Sequence, residues 1–76
     1  MNVTQEEIFS IIENVGISVD VTQIKANMPF NEAGVDSLEL INIILEIEEK
    51  FGIKIPDEDI DALNTIDNII SYLQKI

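Results

Sequence analysis

The chain contains no cysteine and no histidine. Without cysteine there are no disulfides, no thiolate metal sites and no cysteine nucleophile. Without histidine the commonest general base, the commonest metal ligand and every Ser-His-Asp triad are missing as well. Self-contained catalysis is therefore not expected, and neither is a resident metal. Tryptophan is absent, and the aromatic residues amount to Phe9, Phe30, Phe51 and Tyr72. The core must be aliphatic. Positive charge is also scarce: four Lys and Arg stand against fifteen Asp and Glu, for a formal charge of −11. Such a surface repels nucleic acid and anionic lipid. It draws in basic partners and speeds their encounter, and it keeps an isoleucine-rich chain in solution. No apolar run approaches the roughly 20 residues that span a bilayer. Met1-Asn2-Val3-Thr4 lacks the basic start and apolar sequel of a secretory signal. A cytoplasmic chain with no membrane insertion is expected.

What remains is a single domain, residues 1–76, since 76 residues and 8.5 kDa allow no more than one. A chain this short buries only roughly 60–65% of the surface it exposes when unfolded, so its core is marginal. Yet 46% of the residues are apolar and 16 are isoleucine, which suffices for a packed core and argues against disorder. No internal repeat or low-complexity tract is present.

Three helical patterns stand out. Thr4 and Glu7 have capping-box spacing. Ile8, Ile11, Ile12 and Val15 follow along one face, and Gly16 is the natural stop. Residues 17 to about 35 show no sustained period. Their apolar residues, Val19, Val21, Ile24, Met28, Phe30 and Val35, are expected to pack down over the helices. A loop this long in a small domain is functional or packed by its own side chains. Asp36 as N-cap and Glu39 three residues on open a second helix, which runs to about Phe51 before Gly52. Ile53-Lys54-Ile55 is a short extended link. Pro56 begins a short helix expected over 57–62. Thr65 caps a last helix with Ile66, Ile69, Ile70 and Leu73 on its inner face. The sum is an all-α bundle of four helices, three long and one short, with a long first loop.

The second helix has two apolar faces. At about 100° per residue, Leu40, Ile43, Ile44, Ile47 and Phe51 fall in one arc of about 100°, wide enough for a core stripe. Leu38, Ile41 and Leu45 form a second stripe centred about 140° away. Glu48 and Glu49 flank it, Asn42 borders it, and Glu39 and Glu46 lie beyond. Two readings stand: the loop or the short helix covers this stripe, or it is a docking face with an acidic rim, suited to a basic partner around an apolar groove.

Ser37 opens the same helix and should sit exposed at the junction of loop and helix. Helix N-termini favour anions, so a phosphate ester on Ser37 would be well placed. As a nucleophile in its own enzyme it has only Asp36 beside it, with no histidine and no Ser-x-x-Lys spacing. Asp57, Asp59 and Asp61 match the first alternate ligands of an EF-hand loop. Ala62 then stands where the turn glycine belongs, and Asn68 where the bidentate glutamate belongs.

The segment Gly34-Val35-Asp36-Ser37-Leu38 resembles the Asp-Ser-Leu signature of the acyl carrier proteins. Phe30-Asn31-Glu32-Ala33 resembles the family's lead-in. The run Glu48-Glu49-Lys50-Phe51-Gly52-Ile53-Lys54-Ile55-Pro56-Asp57-Glu58-Asp59 resembles its Glu-Glu-x-Phe…Ile-Pro-Asp-Glu block, at a spacing that needs no gap. The resemblance implies the four-helix bundle already read, with 4′-phosphopantetheine on Ser37. A phosphopantetheinyl transferase would attach the arm from coenzyme A, and its thiol would carry acyl groups as thioesters. By position, Asp36, Leu38, Glu39, Ile41, Leu45, Glu48 and Glu49 would face partner enzymes with basic docking patches. Ile55, Ile60, Ala62 and Leu63 would shelter an acyl chain. A monomer is expected.

Fatty-acid carriers usually read Asp-Ser-Leu-Asp-Thr-Val-Glu-Leu. Here Leu40 replaces the threonine, Asn42 replaces an acid, and Glu46 stands where a small residue is common. The resemblance leaves open a fatty-acid carrier and a carrier for specialised lipid or polyketide-type synthesis. It also leaves open an aminoacyl or peptidyl carrier, because Asp36 suits either class, and a non-enzymatic adaptor that keeps the fold without the arm.

Overall fold

A computed structural model describes residues 2–76. Helix α1 spans Gln5–Val15, α2 Ser37–Phe51, α3 Asp57–Ile60 and α4 Ile66–Gln74, with one 3₁₀ turn at Val21–Gln23. No strand occurs among the described residues.

Each long helix starts where a side chain takes over a free backbone N–H. The Thr4 hydroxyl accepts from Glu7 N–H and the Glu7 carboxylate accepts from Thr4 N–H, both at 3.2 Å. Asp36 accepts from Glu39 N–H at 2.7 Å, and Glu39 accepts in return from Asp36 N–H at 3.2 Å. Thr65 accepts from Asn68 N–H at 3.0 Å. At the end of α2, Gly52 takes the left-handed conformation (φ 66°) and donates to the Glu48 carbonyl. A side chain there would be strained.

The isoleucine spacing produces the packing. Ile8, Ile11 and Ile12 of α1 meet Ile43, Ile44 and Ile47 of α2 and Ile66, Ile69 and Leu73 of α4 in one buried cluster. α1 packs against both α2 and α4. The long loop adds Ile24, Phe30 and Val35 to this core, while Val19 and Val21 are only partly buried against it. Two backbone bonds fasten the loop to the far end of the chain. Phe30 N–H donates to the Asn64 carbonyl at 2.8 Å, and Asp67 N–H to the Ala26 carbonyl at 2.9 Å.

Three details differ from expectation. The short helix stops at Ile60, and residues 61–62 form a turn closed by Ala62 N–H to Asp59 O (3.1 Å) and Leu63 N–H to Ile60 O (2.9 Å). These tighter bonds end the helix where another acid, Asp61, would sit against the negative end of the dipole. The 3₁₀ turn was not expected. It is built by Asp20, which accepts from both the Thr22 hydroxyl (2.7 Å) and the Thr22 N–H (3.0 Å). Val15 was expected on the inner face of α1 but is only partly buried, whereas Val3, ahead of the helix, is buried.

The acid excess has a measurable consequence. Fifteen acids against four bases repel one another across a molecule with extents of 28 × 23 × 20 Å, so thermal stability should rise with salt or added divalent cation. A melting temperature insensitive to both would show that the acids are already paired or well spaced.

Candidate functional site

Ser37 is exposed and is the first residue of α2. Asp36 takes the Glu39 N–H, and helix geometry gives the N–H groups of Ser37 and Leu38 no intrahelical acceptor. The turn before it is set by a run of short bonds. Ala33 N–H donates to Pro29 O and Phe30 O, both at 3.1 Å, and Val35 N–H donates to Phe30 O at 2.9 Å. Gly34 lies at φ 89°, and a Cβ there would come within 3.0 Å of the Val19 side chain. Glycine is thus required twice over, by backbone conformation and by the close approach of the loop.

Beside Ser37 lies a recess of about 230 Å³, walled by Phe30, Asn31, Val35, Asp36, Leu40 and Asn64. Phe30 and Val35 are buried and form its apolar base. Leu40 contributes a further apolar wall from α2. Sequence reasoning did not single out Asn64. Its nearness depends on the Phe30–Asn64 backbone bond, a contact between residues 34 positions apart that leaves no local signal.

The second apolar stripe of α2 is uncovered. Leu38 is 72% exposed, Ile41 45% and Leu45 55%. Neither the loop nor α3 shields it. Asp36 and Glu49 are exposed near it, while Glu39 and Glu48 are half-buried. Both half-buried carboxylates are engaged with backbone. Glu39 accepts from Ser18 N–H at 2.7 Å as well as from Asp36 N–H, and Glu48 accepts from Ile55 N–H at 2.6 Å. The Ser18 N–H, and after it the Asp36 N–H, hold the Glu39 carboxyl below the usual carboxylate range. The Thr22 hydroxyl and N–H do the same for Asp20.

Of the four residues expected to shelter an acyl chain, Ile60 is half-buried against the core and Ala62 is exposed. Ile55 and Leu63 are buried in the core. Ala62 and Leu63 edge a second recess of about 500 Å³ whose other walls include Asp61, Asn68, Ser71 and Lys75. Polar walls of that kind suit an acyl chain poorly. At the other side of this recess the Asp59 carboxylate accepts from the Tyr72 hydroxyl at 2.7 Å.

That bond pushes the Tyr72 hydroxyl above its ordinary pKa, with desolvation adding to the effect. A raised folded-state value means the stabilisation is fully present below the unfolded tyrosine pKa, about 10, and is lost as pH rises through the folded one. Tyr72→Phe should therefore melt a few degrees below wild type near neutral pH. The gap should close in the alkaline range, above pH about 10. A gap that persists unchanged there would assign the loss to ring packing instead of the bond.

Fold and site together define a class. A small helical domain presents one serine at the head of a helix, above a recess, with an uncovered apolar stripe on the same helix. This is the build expected of a carrier domain. A family model described as the phosphopantetheine attachment site matches residues 8–73. The meromycolate extension acyl carrier protein of Mycobacterium tuberculosis is 38% identical over 81 residues, covering 100% of this chain and 70% of that protein. The acyl carrier protein of Bdellovibrio bacteriovorus is 38% identical over 66 residues, covering 86% of this chain and 82% of its own. That of Thermotoga maritima is 32% identical over 76 residues, covering 95% and 94% respectively. The chain belongs to the acyl carrier protein family and carries acyl groups on covalently attached 4′-phosphopantetheine. The residues present fit that group: an exposed hydroxyl at a helix head with an apolar-based recess beside it. No helix among the described residues is long and apolar enough to cross a membrane.

Proposed function

We propose that Ser37 is the residue that carries 4′-phosphopantetheine, and that residues 1–76 act as one free-standing, monomeric, cytoplasmic carrier domain without catalytic activity of its own. The observation that carries this reading is the exposed Ser37 at the head of α2, beside the recess and inside the matched segment. In the loading step the Ser37 oxygen bonds to the phosphorus of the coenzyme A pyrophosphate that bears pantetheine. The bond from that phosphorus to the 3′,5′-ADP portion breaks, and the hydroxyl proton passes to a base of the transferase. The new phosphodiester then sits where the first N–H groups and the dipole of α2 favour an anion. Once attached, the arm supplies the thiol that holds acyl groups.

Leu38, Ile41 and Leu45, with Asp36 and Glu49, form the face on which the transferase and the acyl-loading and acyl-processing enzymes dock. The exposure of three large apolar side chains along one helix supports this. Similarity to acyl carrier proteins, a meromycolate extension acyl carrier protein among them, supports acyl groups of a lipid-synthesis pathway. The test is the intact mass before and after incubation with coenzyme A, magnesium and a phosphopantetheinyl transferase. A gain of one 4′-phosphopantetheine is expected. No gain from a folded chain with several transferases would favour an adaptor that binds through α2 alone.

A further inference from the structure

Five acids lie on or around the uncovered stripe of α2, and the structure does not treat them alike. Resting on the docking role proposed for this face, we infer that Glu39 and Glu48 act inward. They are struts that fix the two ends of α2 to the segments beside it, and they are not contacts for a partner. Glu39 divides its carboxylate: one oxygen accepts from Asp36 N–H at 3.2 Å and the other from Ser18 N–H at 2.7 Å. It thereby joins the start of the long loop to the residue before Ser37. Glu48 reaches seven residues forward to Ile55 N–H at 2.6 Å. It thereby ties the last turn of α2 to the link that leads into α3. Ser18, Asp36 and Ile55 all lie outside helices, so no i→i−4 acceptor serves their N–H groups. Ile55 is itself buried, where an unmet N–H is costly.

The remaining charge on the face follows. Asp36 is engaged as the cap of α2, Asn42 is neutral, and Glu46 is half-buried on the flank, one turn before Lys50. Glu49 is exposed and falls about 20° from Leu38 around the helix, in line with the stripe. The partner that fits is an apolar groove for Leu38, Ile41 and Leu45 with a lysine or arginine opposite the Glu49 end. It needs no cation at Glu39 or Glu48.

Two measurements on single variants separate strut from contact. One is the KM of a phosphopantetheinyl transferase for the chain, with coenzyme A and magnesium. The other is amide hydrogen exchange of the free chain at Ser18, Asp36 and Ile55. Glu49→Gln should raise KM about three- to tenfold and leave all three exchange rates as they are. Glu48→Gln keeps one oxygen to accept from Ile55, so both readouts should stay within about twofold of wild type. Glu48→Ala should speed Ile55 exchange about tenfold or more. Glu39→Gln loses one of two acceptors and should speed exchange at Ser18 or Asp36. The assignment is overturned if Glu48→Gln raises KM as far as Glu49→Gln does, or if Ile55 exchange is unmoved in Glu48→Ala. Should Glu49→Gln and alanine at Leu38, Ile41 and Leu45 all leave KM unchanged, the docking face itself is wrong. The Glu49 assignment then falls with it, while the exchange rates still decide the struts.

Discussion

Ser37→Ala should abolish the gain of one 4′-phosphopantetheine completely and leave the melting temperature within about 3 °C of wild type. The loss is total because the reaction needs an oxygen at that position and alanine offers none. The fold is spared for three reasons. Ser37 is exposed, so no packing is lost. The cap of α2 belongs to Asp36, not to Ser37. Alanine is also the better helix former. Intact-mass spectrometry with a thermal melt on the same sample checks both halves. Ser10→Ala, Ser18→Ala and Ser71→Ala should load normally. An alanine variant at 37 that still takes up the arm would move the attachment site elsewhere.

The second large effect is expected within the long loop. Phe30→Ala removes a ring that is 2% exposed and forms the base of the recess beside Ser37. Truncating a buried phenylalanine costs about 3–5 kcal/mol. A chain of 76 residues has a total stability of only about 4–11 kcal/mol. The variant should therefore melt at least about 12 °C lower and lose much of its helix near body temperature, as seen by circular dichroism. Phe30→Leu, which refills most of the volume, should recover a large part of the loss. A drop of only a few degrees in Phe30→Ala would mean the loop lies on the core without supporting it.

The helices were legible because their signals are local. Thr4 with Glu7 and Asp36 with Glu39 announce their caps within four residues, and the isoleucine spacing marks the inner faces. The uncovered stripe of Leu38, Ile41 and Leu45 was legible for the same reason, since a helical wheel needs only the order of residues. The loop was legible only in part. That Phe30 and Val35 would pack inward followed from their chemistry. Their partners did not, because Asn64 and Asp67 approach through tertiary bonds. The acids were harder still. A wheel places Glu48 beside the stripe and Glu39 beyond it, but a carboxylate on two methylenes can fold back to the backbone, and only the position of Ser18 and Ile55 shows that both do. The shortened α3 reflects charge at its end, a modest term that the presence of Pro56 outweighed in the sequence.

The two bonds that fasten the loop also impose a timetable. The chain emerges from the ribosome N-terminus first, at about 5–20 residues per second. Phe30 N–H has no acceptor until Asn64 has been made, and Ala26 C=O has no donor until Asp67 has. Until then the turn that carries Ser37 lacks its anchorage, although the serine itself has long been synthesised. The turn before Ser37 gains its full set of bonds only once residues 64–67 are present.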